Sequence, residues 1–375
     1  MANILILGAG FGGLEVANRL RSTLGAEHRI TVVDARDRFF VGAAKLWDIV
    51  GLRSLEDSSA PLAGLRSKGI DLLQAEIQSI DLSARTATTS AGEVRGDHMV
   101  VALGAAFNPT HTGMLEPPAF NLYDPFSVPA MREALDAFEG GRIAIAILGV
   151  PYKCPPAPFE AAFLIDQALR ERGLRDATEL HVATVQPSPL PVAGPEASER
   201  VAATLKDRGI TLHAELKDPV VDPNARELRW SDGSLGFDLL FGVPQHVPPP
   251  VLQEAAGGWL RPDTATLMTE VERVYAIGDC AAIPNAVGEI PKAGVFAEAQ
   301  GRVVAGRIAA DINGGEPPTF DGHGYCFLEF AEGKAAKVEG DFFAAPRPDV
   351  SLNEPDAKTF EEKQAFVTER LSAWL

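Results

Sequence analysis

"NILILGAGFGGLEVANRL", residues 3–20, decides the fold. It reads as an apolar strand, a glycine turn and a helix, in that order. Gly8, Gly10 and Gly13 punctuate the turn. The first glycine permits a tight bend, the second lets backbone approach a pyrophosphate, and the third lets the helix pack closely on the strand. The N-terminus of the helix offers unpaired N–H groups and partial positive charge to the phosphates. After the helix comes "HRITVVDARDRF", a second apolar strand ending in Asp34. Asp34 lies 21 residues past Gly13, the spacing expected of an acid that holds the adenosine ribose. With strand, turn, helix, second strand and terminal acid in register, the stretch predicts an α/β dinucleotide-binding domain rather than a bare glycine turn.

Further along, "RIAIAIL" (residues 142–148) predicts another buried strand, and "FEAAFLIDQAL" (159–169) a helix. The turn between them carries Gly149 but no second or third glycine. Val150 and Pro151 stand where backbone would approach a phosphate, and Pro151, Pro155 and Pro156 lack N–H donors. The next strand, "ELHVATV", runs into Gln186-Pro187, with no acid for a ribose. The expectation is a second Rossmann-like unit that has lost its NAD(P)H site. An NADH-binding variant of an unusual loop is the alternative.

That turn presents Cys154, read here as the start of a helix, where the dipole favours thiolate, with Lys153 pushing the same way. Glu160, six residues on, is a candidate proton acceptor or relay, or a first-turn carboxylate favoured by the dipole. Cys326 lies in "YCFLEF", which with "AAKVEGDFF" predicts a hairpin turning at Glu332-Gly333. Taken alone, Cys326 reads as a small buried hydrophobe, and Cys280 as packing. No metal-binding pattern is read from the residues.

Two later segments resemble motifs of two-dinucleotide flavoproteins. "GDHMVVALGAA" (96–106) resembles their ATG-type turn, with Ala102 and Gly104 in place and Leu103 where threonine is usual. "VERVYAIGDCAAIP" (271–284) resembles the motif in which Gly278 and Asp279 meet the ribityl chain of FAD. The helix opened by "PKAG" is expected to aim its N-terminus at the isoalloxazine, with Lys292, Ala293 and Gly294 beside the ring. Together with "RFFVGAAKLWDIVG", "GVPYKCPPAPFEAAFLID" and "GYCFLEFAEGKAAKV", these segments give the whole chain a resemblance to the sulfide:quinone oxidoreductases and the flavoprotein subunit of flavocytochrome c sulfide dehydrogenase, within the FAD-containing pyridine-nucleotide disulfide oxidoreductases.

The resemblance implies two Rossmann-like domains and a small C-terminal α+β region. The FAD-binding domain would comprise residues 1–107 and 257–313, the degenerate NAD-type domain 108–256, and the C-terminal region 314–375. It implies flavin-dependent oxidation of sulfide, or a related small sulfur nucleophile, through a Cys154–Cys326 redox disulfide and persulfide. Electrons would pass via FAD to a quinone or cytochrome-type acceptor, with Glu160 in the family's glutamate position. No cysteine precedes residue 154, so FAD is expected to be held non-covalently. The alternatives are a type-II NADH:quinone reductase-like flavoprotein and a redox-sensing flavoprotein without turnover.

Net charge is −17, which makes nucleic acid and anionic membrane poor partners. No apolar run approaches a membrane span, and no export signal is read, so the expectation is a cytoplasmic protein with at most peripheral contact at the inner membrane face. In "DAKTFEEKQAFVTERLSAWL", Phe360, Val367, Leu371 and Trp374 form one apolar stripe at helical spacing. Lys358, Lys363, Arg370 and three glutamates are read as a mixed-charge opposite face. Such a helix is expected to pack on its own protein or on a twin subunit in a homodimer.

Overall fold

The computed structural model describes residues 1–375. Its first sheet is wholly parallel, with strands in the order Val274–Ala276, His98–Val101, Asn3–Leu7, Arg29–Asp34 and Asp71–Gln74. Ile4, Leu5, Ile6 and Leu7 are all buried, as a strand covered on both faces requires. A Cβ on Gly13 would fall on the Gly8 carbonyl oxygen, so the helix Phe11–Thr23 sits directly against the turn that starts it. That helix crosses the long helix Gly294–Asn313 at small residues: a Cβ on Gly301 would come within 2.8 Å of the Gly12 oxygen. The strand Val274–Ala276 thus returns a distant segment to the first sheet and lays the following turn against the glycine turn.

The second sheet is also parallel, in the order Ala119–Asn121, Leu239–Val243, Gly141–Ile147, Thr178–Thr184 and Ile210–His213. The helix Ala157–Glu171 follows its central strand. The two parallel sheets are the α/β architecture expected from the sequence.

The third part is antiparallel. His323–Glu329 pairs with Ala335–Asp341, Cys326 lying opposite Val338, and a third strand, Asp349–Leu352, extends the hairpin. The closing helix, Ala357–Trp374, is capped by Asp356, whose side chain accepts from the Thr359 N–H at 2.6 Å. It lies on the first domain. Phe366 stacks on Phe11 at 5.9 Å, and Trp374 meets Phe11 and Phe39 edge-on at 5.5 and 5.7 Å. Trp374 Nε1 donates to Glu15 Oε2 at 2.9 Å, and Arg370 reaches Glu298 at 3.1 Å. The apolar stripe is therefore spent on the protein's own core. Lys363 departs from its expected place: it is 2% exposed and belongs to the buried side of this helix. No helix is long and apolar enough to cross a membrane.

Candidate functional site

A cavity of about 680 Å³ runs between the three parts of the fold, within the range of cofactor sites. Gly8, Gly10, Asp34, Ala102, Gly104, Gly278, Asp279, Ala293 and Gly294 line it. Cys154, Glu160 and Cys326 line it as well. Gly13 lies beneath the turn, where its role is packing. Gly8 has φ +104°, which a residue with a side chain would resist. Gly10 caps the first helix with open space where a Cβ would stand.

Asp34 is more committed than its spacing implied. Its Oδ2 accepts from the Ala9 N–H at 2.7 Å and from Arg36 Nη2 at 2.8 Å, while Oδ1 accepts from the Arg36 N–H at 2.9 Å. Burial works to raise its carboxyl, but Arg36 and the backbone donors outweigh it and hold the group below the usual range. Asp279 is the opposite case. Its Oδ1 is buried without a hydrogen-bond partner, and burial lifts its carboxyl above the usual range against Lys153 and Lys292. A buried orphan oxygen and an open glycine on one elongated cavity are what a dinucleotide needs, so the residues present fit FAD.

Lys292 does not reach the cavity as expected. Its ammonium donates to the carbonyls of Asp279 and Ala281 at 2.9 and 3.1 Å and lies 3.9 Å from the Trp259 ring centroid. It pins the Gly278–Cys280 turn from behind, while its own carbonyl accepts the Cys154 N–H at 2.7 Å. Ala293 and Gly294 do face the cavity. Gly294 must be glycine because a Cβ would press on the Phe11 ring at 2.9 Å.

The turn over residues 148–156 is closed by its own side chains. Tyr152 is buried and its hydroxyl donates to Gln186 Oε1 at 3.0 Å, the position where a dinucleotide site would carry an acid. Gln245 Nε2 donates to the Val150 carbonyl at 2.7 Å, and the His246 N–H to the Pro151 carbonyl at 2.7 Å. A Cβ on Gly149 would meet Gln245 and His111 at 2.9 Å. Tyr152→Phe is expected to cost about 1 kcal/mol of stability, because Gln186 Oε1 loses its donor. A denaturant midpoint identical to wild type would show that this bond does not hold the loop.

Cys154 differs from its sequence reading. The helix starts at Ala157 with Pro156 as its cap, so the thiol stands outside the helix. Its φ is +50°, a conformation that costs a non-glycine residue of order 1 kcal/mol and concentrates at functional sites. Burial, then Glu160, pushes the thiol up to about 12, with Lys363 and Lys45 pulling the other way. The expected thiolate is therefore absent at neutral pH, because desolvation outweighs the N–H of Ala157 at the helix start, which donates to the sulfur and pulls the other way. Lys153 turns its ammonium toward the Phe107 ring, 5.4 Å from its centroid. Cys326 is likewise held protonated by burial, Cys154 and Glu160. Both thiols are free. Cys280 is fully buried, its sulfhydryl donating to the Ile277 and Val101 carbonyls.

Glu160 sits in a buried ionic knot. Its Oε1 accepts from the Glu329 N–H at 2.7 Å and from Lys363 Nζ at 2.9 Å. Lys363 also donates to Glu329 Oε2 at 2.7 Å, which takes Trp47 Nε1 at 2.8 Å. Burial raises the Glu160 carboxyl above the usual range, against Lys363. Its Oε2 makes no hydrogen bond and remains available toward the cavity. Lys363, Glu329, Lys45 and Arg36 were not singled out by sequence. For Lys363 a signal existed: it falls three residues after Phe360 and four before Val367, within the apolar stripe.

Residues 2–149 match the family model for pyridine nucleotide-disulphide oxidoreductases. The chain is 22% identical over 364 residues to the mitochondrial sulfide:quinone oxidoreductase of Mus musculus, covering 92% of this chain and 79% of that protein. The solved structure of the sulfide:quinone oxidoreductase from Aquifex aeolicus has a TM-score of 0.88 at 21% identity, over 100% of this chain and 92% of that one. The chain is similar to the sulfide:quinone oxidoreductases. It also has 23% identity over 354 residues to a type II NADH:quinone oxidoreductase of Staphylococcus aureus (strain bovine RF122 / ET3-1), 85% of this chain and 84% of that protein.

Proposed function

We propose that this chain is a flavin-dependent oxidoreductase that oxidises sulfide, or a related small sulfur nucleophile, through a redox disulfide between Cys154 and Cys326. The observation that carries the reading is that both cysteines line the cavity shared by the glycine turn and Asp279. Gly8, Gly10 and Asp34 would hold the adenosine and pyrophosphate of FAD, and Asp279 its ribityl chain. The division into residues 1–107 with 257–313, 108–256 and 314–375 follows from the same reading. When bound, FAD supplies the two-electron acceptor.

Hydrosulfide attacks one sulfur of the disulfide. The S–S bond breaks, a bond to the incoming sulfur forms, and the other cysteine leaves as thiolate. A second sulfur nucleophile then takes the persulfide's outer sulfur and leaves a second thiolate. Re-forming the disulfide from the two thiolates releases one electron pair, which bound FAD would accept. In this scheme the substrate is the first nucleophile, so a high Cys154 pKa does not obstruct the opening step. In this reading Glu160 would take up the proton that the hydrosulfide brings. The electrons end on a quinone or cytochrome-type carrier, with FAD held non-covalently in a cytoplasmic protein, homodimeric or not, that touches the membrane at most peripherally.

An NADH-driven flavoprotein is the second reading, favoured by the Staphylococcus relative. Anaerobic stopped-flow mixing separates the two. Sulfide is expected to bleach the flavin at least about tenfold faster than equal NADH, because the 148–156 turn offers pyrophosphate no glycine approach. Rapid bleaching by NADH without a response to sulfide would defeat the proposal. Binding of FAD with no steady-state sulfide consumption, quinone supplied, would favour a redox sensor.

A further inference from the structure

Lys45 lies in the helix Ala44–Ile49, within a stretch otherwise rich in apolar residues. It is 7% exposed and lines the cavity with Cys154 and Cys326. Its ammonium donates once, to the Tyr123 carbonyl at 2.7 Å, and stands 5.1 Å from the Tyr123 ring centroid. Tyr123 in turn donates its hydroxyl to the Cys154 carbonyl at 3.1 Å, so one residue ties Lys45 to the cysteine loop. No carboxylate lies within ion-pair distance of Lys45, although Lys363 in the same cavity has two. Lys153 also lines the cavity, but its ammonium is set chiefly against the Asp279 carboxylate. A buried ammonium without a counter-ion is costly, and a cavity wall that holds one beside a thiol is complementary to an anion.

Arg36 is held on Asp34. Lys45 lies beside Tyr123 and the cysteine loop, where Lys153, Cys154 and Asp124 are the groups that act on its charge. Glu160, on the neighbouring helix, shares the Lys363 ammonium with Glu329, and Arg132 is turned to Asp48. We infer that Lys45 forms an anion subsite beside Cys154, and that the sulfur nucleophile occupies it as a small monoanion. This rests on the sulfur-donor reading above. The subsite would concentrate the ionised nucleophile at the sulfur it attacks and would balance the thiolate that the attack releases. Burial, with Lys153, pulls the Lys45 ammonium down to about 7, so its charge is present below neutrality and lost above it.

The test compares two thiol-directed probes on the FAD-loaded protein after its cysteines are reduced: anionic 2-sulfonatoethyl methanethiosulfonate and neutral methyl methanethiosulfonate. Labelling of Cys154 is followed by peptide mass spectrometry. Both probes need the same thiolate, so the ratio of their rates reports the local charge and not the thiol pKa. The ratio is expected to fall about fivefold in Lys45→Met and to persist in Lys45→Arg. Equal ratios in wild type and Lys45→Met would overturn the subsite. Should Lys45→Met fail to fold, wild type alone decides: the ratio should fall about fivefold between about pH 6 and about pH 8.5, and a flat profile would overturn the inference. A ratio that behaves as expected while sulfide leaves the flavin oxidised would retain the anion subsite and reject the sulfur-donor reading.

Discussion

Replacing Cys326 by serine is expected to lower the rate of flavin reduction by sulfide by a factor of roughly 10³ or more, and Cys154→Ser by as much. Each substitution leaves a single thiol in the cavity, so there is no disulfide for hydrosulfide to attack. Removing one member of a pair that acts as a unit then costs nearly as much as removing both. The measurement is anaerobic bleaching at fixed sulfide, with photoreduction as a control that the flavin itself remains competent. Cys280→Ser serves as the comparison, since Cys280 is fully buried and hydrogen-bonded away from the cavity. Wild-type bleaching by Cys326→Ser would remove the two-cysteine mechanism outright, whatever the fate of Cys154→Ser.

The largest effect on stability is expected from Lys363→Met, at about 3–5 kcal/mol, because it leaves Glu160 and Glu329 buried with no cation between them. The pH dependence has a definite sign. Burial already raises the Glu160 carboxyl, and loss of Lys363 raises it further. A carboxyl whose folded pKa lies above its unfolded value binds more protons when folded, so its folded form weakens as pH rises through that pKa. The deficit of Lys363→Met should therefore shrink as pH falls toward about 5, where the free carboxyl is near its ordinary pKa. Combining it with Glu160→Gln and Glu329→Gln should recover much of the loss, since the uncompensated charge is gone. A denaturation midpoint at pH 7 unchanged from wild type would show that the knot contributes nothing.

These two experiments address residues that were unequally visible in the sequence. The first dinucleotide turn was legible because its signals are local: apolar runs, glycines at fixed offsets and an acid at the end of the next strand. Asp279 could be placed for the same reason, by its position after a strand. The Cys154 environment was not legible, because a helix end and a neighbouring lysine can be read from adjacent residues, whereas burial cannot. In the folded chain burial dominates and reverses the expected direction. Lys292 shows a related limit. Its position beside the helix entrance was readable, but its side chain turns away to carbonyl groups of residues 279 and 281. Lys45 gave no signal of its own. Its solvent exclusion arises when its short helix packs against Val128–Asp136 and Ala157–Glu171. Arg36 sits two residues past the acid it engages, yet nothing in the spacing shows that it folds back on it.

The ionic knot also has an order in time. Glu160 and Glu329 emerge from the ribosome before Lys363, which neutralises them. While the chain is being made, the pocket walls carry two carboxylates and no cation to join them. The hairpin therefore cannot dock charged against Ala157–Glu171 without cost until residue 363 arrives. The helix that brings it also clamps Trp374 onto Phe11 and Glu15 near the start of the chain. Assembly of the cavity around Cys154 is thereby coupled to the contact of Trp374 with Phe11 and Glu15.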